Sequence, residues 1–249
     1  MSSSYELLTT TRWDRFLEKQ RWNNNTDDQP SSFLLLHFHL DRLRQAAAAV
    51  RLHGWPDAES AAVVSYEGDP ADALKIRITL SRAAHLTATA SPIAPLKFDP
   101  TSPSFSKPLT DSATLYGSAM TLFVDTQPMP PGGLFTATKT TERTAYDAAR
   151  ARVGLPTRSP DADVILYNPE ELVTESSVAN VAFYHAHTWV TPPLSSGCLP
   201  GVLRRWLLHH KRIHEAEPGE LRKDALRPGD WVLLFNSVQG CRLGRIAAS

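Results

Sequence analysis

Lys139-Thr140-Thr141-Glu142-Arg143 marks the point where a proline- and glycine-rich stretch, residues 127–133, gives way to a predicted helix over residues 141–153. Gly154 fits the C-terminal cap of that helix. Most lysines lie on the surface, but a scaffold can hold a lysine at such a junction inward. An amine held in this way can become neutral and attack carbon as a nucleophile. A reactive, inward-facing amine and an ordinary solvated lysine are therefore the two roles that the residues alone leave open for Lys139.

Strand and helix patterns alternate on both sides of this junction. Residues 74–82 alternate apolar and polar side chains, as expected of a strand, and residues 86–90 are expected to pair with them. Residues 40–52 show helical spacing, and the apolar run 33–38 has the length of a strand. Further strands are predicted at 5–13, 120–124, 164–168, 178–184, 188–191 and 230–235, the last closing the sheet, and a helix at 201–211.

The mixture of elements predicts an α/β protein of mixed α+β type with two lobes. Residues 91–112 are rich in proline and serine, which indicates loops near the boundary. We expect a small N-terminal α/β lobe over residues 1–115 and a larger C-terminal lobe over residues 116–249 that carries Lys139.

The composition limits the classes of function. The 249 residues include 26 Lys plus Arg and 26 Asp plus Glu, so no net charge draws the protein to nucleic acid or anionic lipid. The longest apolar runs, such as residues 178–184, are too short to cross a bilayer. Cys198 and Cys241 form no CxxC pair, and the N-terminus lacks a secretion signal. We therefore expect a cytoplasmic protein that acts on a small molecule, without nucleic-acid or membrane partners.

Two histidine pairs raise the question of a metal site. His37 with His39, and His185 with His187, are each two residues apart and would share one face of a strand. A metal also needs a third and a fourth ligand, and no cysteine or carboxylate spacing supplies them. The sequence therefore predicts no metal site.

Six separated segments carry a resemblance to a known family, and they occur in the family's order along nearly the whole chain. They are Leu7-Leu8-Thr9-Thr10-Thr11-Arg12-Trp13; His39-Leu40-Asp41-Arg42-Leu43; Lys139-Thr140-Thr141-Glu142-Arg143 with Tyr146-Asp147; Val173-Thr174-Glu175-Ser176-Ser177-Val178-Ala179-Asn180; Thr191-Pro192-Pro193-Leu194 with Leu199-Pro200-Gly201-Val202-Leu203-Arg204; and Asn236-Ser237-Val238-Gln239-Gly240. Any one segment alone would be weak evidence. Together they resemble the fold-type-IV pyridoxal-phosphate enzymes, the class IV aminotransferase family, and within it the aminodeoxychorismate lyases.

The resemblance implies a two-lobed fold with pyridoxal 5'-phosphate between the lobes, held by Lys139 as a Schiff base. It implies that Glu175, which we expect at the end of a short strand before a turn, keeps the pyridine nitrogen protonated, which makes the ring an effective electron sink. The phosphate would be bound by Arg42, by the backbone at Val202 and Leu203, and by the hydroxyl of Ser237. From the residues alone, a salt bridge on a helix face is the alternative role for Arg42.

The segments most resemble the lyase group, which implies conversion of 4-amino-4-deoxychorismate to pyruvate and 4-aminobenzoate, a folate precursor. Lys139 would then remove the proton from the amine-bearing carbon, and Thr10 would help to protonate the leaving group. Arg12, Arg77 and Asn236 are the candidates for binding the substrate. The resemblance also implies a homodimer.

Two other functions stay open at this point. One is an aminotransferase of the same fold type that acts on a D-amino acid, a branched-chain amino acid or an amine. The other is a non-catalytic family member, against which the intact Lys139, Glu175 and Arg42 argue. The sequence also departs from the family at three positions, where Thr9 replaces a usual glutamate, Thr138 a common histidine and Leu203 a frequent threonine.

Overall fold

The structure, a computed structural model, describes residues 5–23, 30–51, 71–112, 114–130, 133 and 138–248. Contacts between residues divide the chain into two units. The first unit contains Met1–Asp99 and Thr138–Glu142, and the second contains Pro100–Ala137 and Arg143–Ser249. The described elements confirm the predicted mixture of helices and strands.

Three antiparallel strands and one helix form the described part of the first unit. The strands β1 (Leu7–Asp14), β2 (Ala73–Leu80) and β3 (Leu86–Pro92) lie in the order β1-β2-β3. The helix α1 (Leu36–Arg51) contacts β1. The strand predicted over residues 74–82 is observed as β2, and its predicted pairing with residues 86–90 is confirmed.

The strand predicted over residues 33–38 was wrong. Only Phe33 pairs with a neighbour, through a single bridge to Trp13, and α1 begins at Leu36. Leu34 and Leu35 stand directly before α1 and are fully buried, so this part of the apolar run contributes to the core. A short apolar run does not show by its periodicity whether it is a buried strand or a buried part of a helix.

The segment Thr138–Glu142 returns to the first unit beside β1. The backbone N–H of Leu8 donates to the carbonyl of Lys139 at 2.8 Å, and that of Thr141 donates to Glu6 at 2.9 Å. Lys139 therefore lies in the first unit, whereas the sequence placed it in a C-terminal lobe. The predicted division between residues 115 and 116 falls inside the second unit.

The second unit contains a sheet with eight strands among the described residues, in the order β6-β5-β4-β11-β10-β7-β8-β9. Its strands are β4 (Met120–Val124), β5 (Ala162–Tyr167), β6 (Val173–Ser176), β7 (Asn180–His185), β8 (Thr188–Thr191), β9 (His214–Glu215), β10 (Trp231–Asn236) and β11 (Gly240–Ile246). Its helices are α2 (Thr144–Arg152) and α3 (Val202–His209). Short 3-10 helices occur at Arg15–Lys19 and Arg21–Asn23 in the first unit, and at Ser102–Phe105, Leu194–Ser196 and Lys223–Ala225 in the second.

Two strands of this sheet, the two-residue β9 and the longer β11, were not predicted. Residues 230–235 were expected to close the sheet, but β11 comes after them and lies between β10 and β4. Gly244 on β11 lies against Leu122 and Leu234, whose side chains a Cβ atom would meet at 2.7 and 2.8 Å. Glycines and arginines interrupt the apolar pattern of β11, which hides the strand from a search for hydrophobic periodicity.

Two helices of the second unit lie close to their predicted positions. The helix predicted over 141–153 begins at Thr144, because the residues before it pair with β1. Gly154 has a φ of 72° and stands just after the helix end, as its predicted capping role requires.

Among the described residues no helix has the length and hydropathy to span a membrane. The same residues include no group of three His, Cys, Asp or Glu side chains placed to bind a metal.

Candidate active site

A buried hydroxyl of the first unit joins an arginine to a histidine. Thr9 on β1 is fully buried, while His39 and Arg42 lie three residues apart on α1 and so share one helix face. Nη2 of Arg42 donates to Oγ1 of Thr9, and the same oxygen lies 2.6 Å from Nδ1 of His39. The Thr9 hydroxyl accepts from Arg42 and has one proton to give, so it donates to His39. The neutral imidazole then carries its own proton on Nε2.

The electrostatics of this cluster favour a bound anion. The pKa of His39 lies well below its ordinary value, mainly because of burial and also because Arg42, Lys139 and His37 repel a positive imidazole. Burial lowers the pKa of Arg42 to about 10, so the guanidinium stays charged near neutral pH. Among the described residues no carboxylate pairs with Arg42, and its buried Nε has no hydrogen-bond partner. A desolvated charge without a counter-ion is costly, so a negative ligand would stabilise this cluster.

Lys139 lies close to the same cluster. Its carbonyl is fixed by Leu8, its side chain is half-buried, and its charge is near enough to lower the pKa of His39. The first unit thus brings together two of the residues predicted from the sequence, Arg42 and Lys139.

The three candidates on the first unit's sheet fall into two groups. Thr10 on β1 lies directly opposite Arg77 on β2, and both are half-buried. Residues opposite each other in antiparallel strands project from the same face, so a hydroxyl and a guanidinium are presented together. Arg12 is buried instead, and its Nη1 donates to Asp14 at 2.6 Å and to the carbonyl of Ala94 at 3.0 Å. Through these contacts Arg12 stabilises the chain around Asp14.

Glu175 is the focus of the second unit. It lies near the end of β6, as predicted, and it is buried. Its Oε1 accepts from the hydroxyl of Tyr146 at 2.8 Å. Its Oε2 accepts from Nδ2 of Asn180 at 3.2 Å and from the backbone N–H of Leu199 at 3.3 Å. All three are acceptor contacts, which suit an ionised carboxylate.

Asn180 connects Glu175 to the start of α3. Its Nδ2 also donates to the carbonyl of Leu199 at 2.9 Å, and its Oδ1 lies 1.9 Å from the point where a Cβ atom of Gly201 would stand. Among the described residues no side chain caps α3, whose N-cap is Gly201. The first amides of a helix lack partners within the helix, so those at Val202 and Leu203 can bind an anion.

The last two predicted residues lie in the turn between β10 and β11. Oδ1 of Asn236 accepts from the backbone N–H groups of Val238 and Gln239 at 2.9 and 2.8 Å, and its Nδ2 donates to the carbonyl of Val178 at 3.4 Å. Asn236 therefore holds this turn. Ser237 is the next residue and is buried.

Comparison with known proteins places this chain in a family. The model of the class IV amino-transferases matches residues 16–245. The chain belongs to the class IV aminotransferase family. It is 33% identical over 210 residues to a Schizosaccharomyces pombe protein provisionally named aminodeoxychorismate lyase, covering 82% of this chain and 80% of that protein. It is 35% identical over 127 residues to the aminodeoxychorismate lyase of Saccharomyces cerevisiae, covering 45% of this chain and 33% of that protein.

Solved structures confirm the aminotransferase-like fold that the sequence predicted. A Mesorhizobium loti protein provisionally named amino-acid aminotransferase is 26% identical to this chain, and the two structures match with a TM-score of 0.68. The match covers 98% of this chain and 100% of the Mesorhizobium loti chain.

The class IV family depends on pyridoxal phosphate, and the described residues fit that group. Its phosphate needs a charged anchor and backbone donors; in the first unit Arg42 is a charged group without a described counter-ion, and in the second unit the start of α3 has backbone amides that no described side chain caps. Its pyridine nitrogen needs a carboxylate, for which the buried Glu175 is suited. Its aldehyde needs an amine, and Lys139 has one.

Several residues that matter in these clusters received no role from the sequence. Tyr146 and Asn180 stand inside the quoted segments, but their contacts with Glu175 depend on long-range packing. Thr9 was noted only as a departure from the family. The spacing of His39 and Arg42 on one helix face is the signal that could have identified the first cluster.

Replacing Thr9 with Val should damage the Arg42 cluster specifically. The change keeps the shape of the side chain but leaves Nη2 of Arg42 and Nδ1 of His39 without their shared partner. We expect a loss of about 1–3 kcal/mol in the free energy of unfolding and about a tenfold weaker binding of pyridoxal phosphate. Urea unfolding and titration of the apoprotein with the cofactor would measure both.

Thr11→Val is the matched control, because Thr11 is also fully buried on β1 and donates to the carbonyl of Leu34 at 2.9 Å. It should lower stability while leaving cofactor affinity unchanged. Equal losses of affinity in T9V and T11V would contradict the role given to Thr9.

Gly201→Ala should act through Asn180. The backbone of Gly201, at φ −63° and ψ 143°, is open to any residue, so the effect is a collision with Oδ1 of Asn180. Overpacking of this kind costs about 1–3 kcal/mol. In the Asn180→Ala background the collision partner is gone, so the same change should cost much less. Urea unfolding of the two single variants and the double variant measures the coupling, and simple additivity would argue against it.

Proposed function

We propose that this chain is a pyridoxal-phosphate-dependent 4-amino-4-deoxychorismate lyase that forms 4-aminobenzoate and pyruvate. The observation that carries this proposal is the 33% identity over 82% of the chain to a protein provisionally named aminodeoxychorismate lyase. The Saccharomyces cerevisiae relative of that name supports the same reading. A cytoplasmic location and a homodimer belong to the proposal through the family resemblance.

Residues of this chain would hold three parts of the cofactor: its aldehyde, its ring nitrogen and its phosphate. Lys139 would bond to its aldehyde, and Glu175 would accept a hydrogen bond from its ring nitrogen. Arg42, the amides at Val202 and Leu203 and the hydroxyl of Ser237 would bind its phosphate. When bound, pyridoxal phosphate supplies a protonated ring that accepts electrons from the carbon bearing the substrate amine.

The residues of the chain would move two protons. Nζ of Lys139, once released from the cofactor, would take the proton from the amine-bearing carbon. Oγ1 of Thr10 would give a proton to the departing enol-pyruvyl group, which leaves as pyruvate while the substrate ring becomes aromatic. The proton that Lys139 took up would then return to Thr10, which restores both residues. The overall reaction needs neither an oxidant nor an amino acceptor.

Binding of the substrate would rest mainly on Arg77. The substrate carries two carboxylates, and Arg77 stands opposite Thr10 on the same sheet face, so a carboxylate bound by Arg77 would bring the leaving group toward Thr10. Arg12 was the other candidate, but its ion pair with Asp14 at 2.6 Å makes Arg77 the stronger one. Asn236 would add a polar contact from the turn before β11.

An aminotransferase acting on a D-amino acid, a branched-chain amino acid or an amine is the second candidate. The Mesorhizobium loti relative, provisionally named amino-acid aminotransferase, favours it, because that chain is matched over its full length. The two candidates would use the same cofactor residues and differ in the chemistry after proton removal.

An absorption spectrum of the protein with pyridoxal phosphate, monitored on addition of 4-amino-4-deoxychorismate, tests the proposal. We expect a near-visible band that persists while 4-aminobenzoate and pyruvate appear in equal amounts without a keto acid. Lys139→Ala should abolish band and products, whereas replacement of the exposed Lys97 should change neither. A band that amino acids bleach, with no 4-aminobenzoate formed, would establish the aminotransferase instead. Failure to form any band would indicate a non-catalytic family member.

A further inference from the structure

Tyr146 makes the shortest hydrogen bond to Glu175 among those described. Its hydroxyl lies 2.8 Å from Oε1, whereas the donors to Oε2 lie at 3.2 and 3.3 Å. The ring of Tyr146 packs against the cluster of Ala149, Val164 and Leu166, which fixes the direction of the hydroxyl. Of the described donors to the predicted pyridine-binding carboxylate, the nearest therefore comes from α2.

The surroundings of Tyr146 keep its hydroxyl a donor. Burial, and next the negative charge of Glu175, raise its pKa far above the ordinary tyrosine value, so the hydroxyl remains protonated at any working pH. The guanidinium of Arg143 lies 5.1 Å from the centroid of the Tyr146 ring. It lowers the pKa of Tyr146, but by less than burial and Glu175 raise it. Arg143 directs its own hydrogen bond to the carbonyl of Ser177 at 3.0 Å.

A neutral donor is well suited to this position. A lysine or arginine in contact with Glu175 would neutralise the carboxylate and compete with a protonated pyridine for it. A phenol adds a hydrogen bond that stabilises the ionised carboxylate without adding a positive charge. The proton shared with a pyridine nitrogen would then stay on the ring.

We propose that Tyr146 is a positioning residue that acts through Glu175, holding it as an ionised carboxylate so that the bound cofactor ring stays protonated. This inference rests on the proposed binding of pyridoxal phosphate. It assigns Tyr146 no contact with substrate and no step of its own in the reaction.

Tyr146→Phe removes the hydroxyl and keeps the ring. Glu175 should then become a better proton acceptor, and the shared proton should move from the ring nitrogen toward the carboxylate. Holoenzyme prepared with cofactor labelled with 15N in the ring should show a nitrogen resonance shifted toward that of neutral pyridine. We expect kcat to fall about 10- to 100-fold, the range for a lost hydrogen bond to a charged group, with little change in KM.

Tyr167→Phe is the matched control in the second unit. Tyr167 is buried on β5, and its hydroxyl accepts from Nζ of Lys223 at 3.0 Å. Removing that hydroxyl should leave the ring-nitrogen resonance and kcat unchanged. A loss of the same size in both variants would assign the effect to general destabilisation and overturn the inference.

A double variant tests whether Tyr146 acts through Glu175. In the Glu175→Gln background the carboxylate is gone, so Y146F should add little further change to the nitrogen resonance or to kcat. A full additional loss would overturn the inference. If the wild-type protein binds the cofactor and the nitrogen resonance of Y146F stays at the wild-type position, this inference alone is overturned. Wild-type protein that binds no cofactor would overturn the proposed function as well.

Discussion

The hydrogen bond from the Leu8 N–H to the Lys139 carbonyl is the constraint on which the first cluster depends. It fixes the segment Thr138–Glu142 against β1, the strand that also carries Thr9. Without this pairing, Lys139 would sit on a connection between a glycine-rich stretch and α2, with nothing to direct its side chain. The helix predicted to begin at residue 141 starts later for the same reason, because these residues are already used in strand-like pairing.

The two clusters contain buried charges of opposite sign. In the first unit, Arg42 keeps a desolvated positive charge, and its described partners are neutral groups such as Thr9 and the uncharged His39. In the second, the buried carboxylate of Glu175 accepts hydrogen bonds from the neutral side chains of Tyr146 and Asn180. Each of these buried charges is stabilised by hydrogen bonds with neutral groups.

The sequence predicted those features that depend on local pattern. Strands over 120–124 and 188–191 have the bounds that the structure gives to β4 and β8, and Glu175 lies on a short strand as expected. Strand β11 was missed because Gly244 accommodates the neighbouring Leu122 and Leu234, a requirement that comes from packing alone. The role of Tyr146 was missed because its partner Glu175 is 29 residues away along the chain. The family motifs located the candidate site residues, whereas their hydrogen-bond partners required the fold.

Reductive trapping of the cofactor, with peptide mass spectrometry as the readout, tests the central claim most directly. The protein would be loaded with pyridoxal phosphate, treated with borohydride and digested. We expect the reduced cofactor to be attached to the peptide that contains Lys139, at stoichiometric yield. Attachment at a different lysine, or no attachment in protein that is otherwise folded, would contradict the assignment of Lys139.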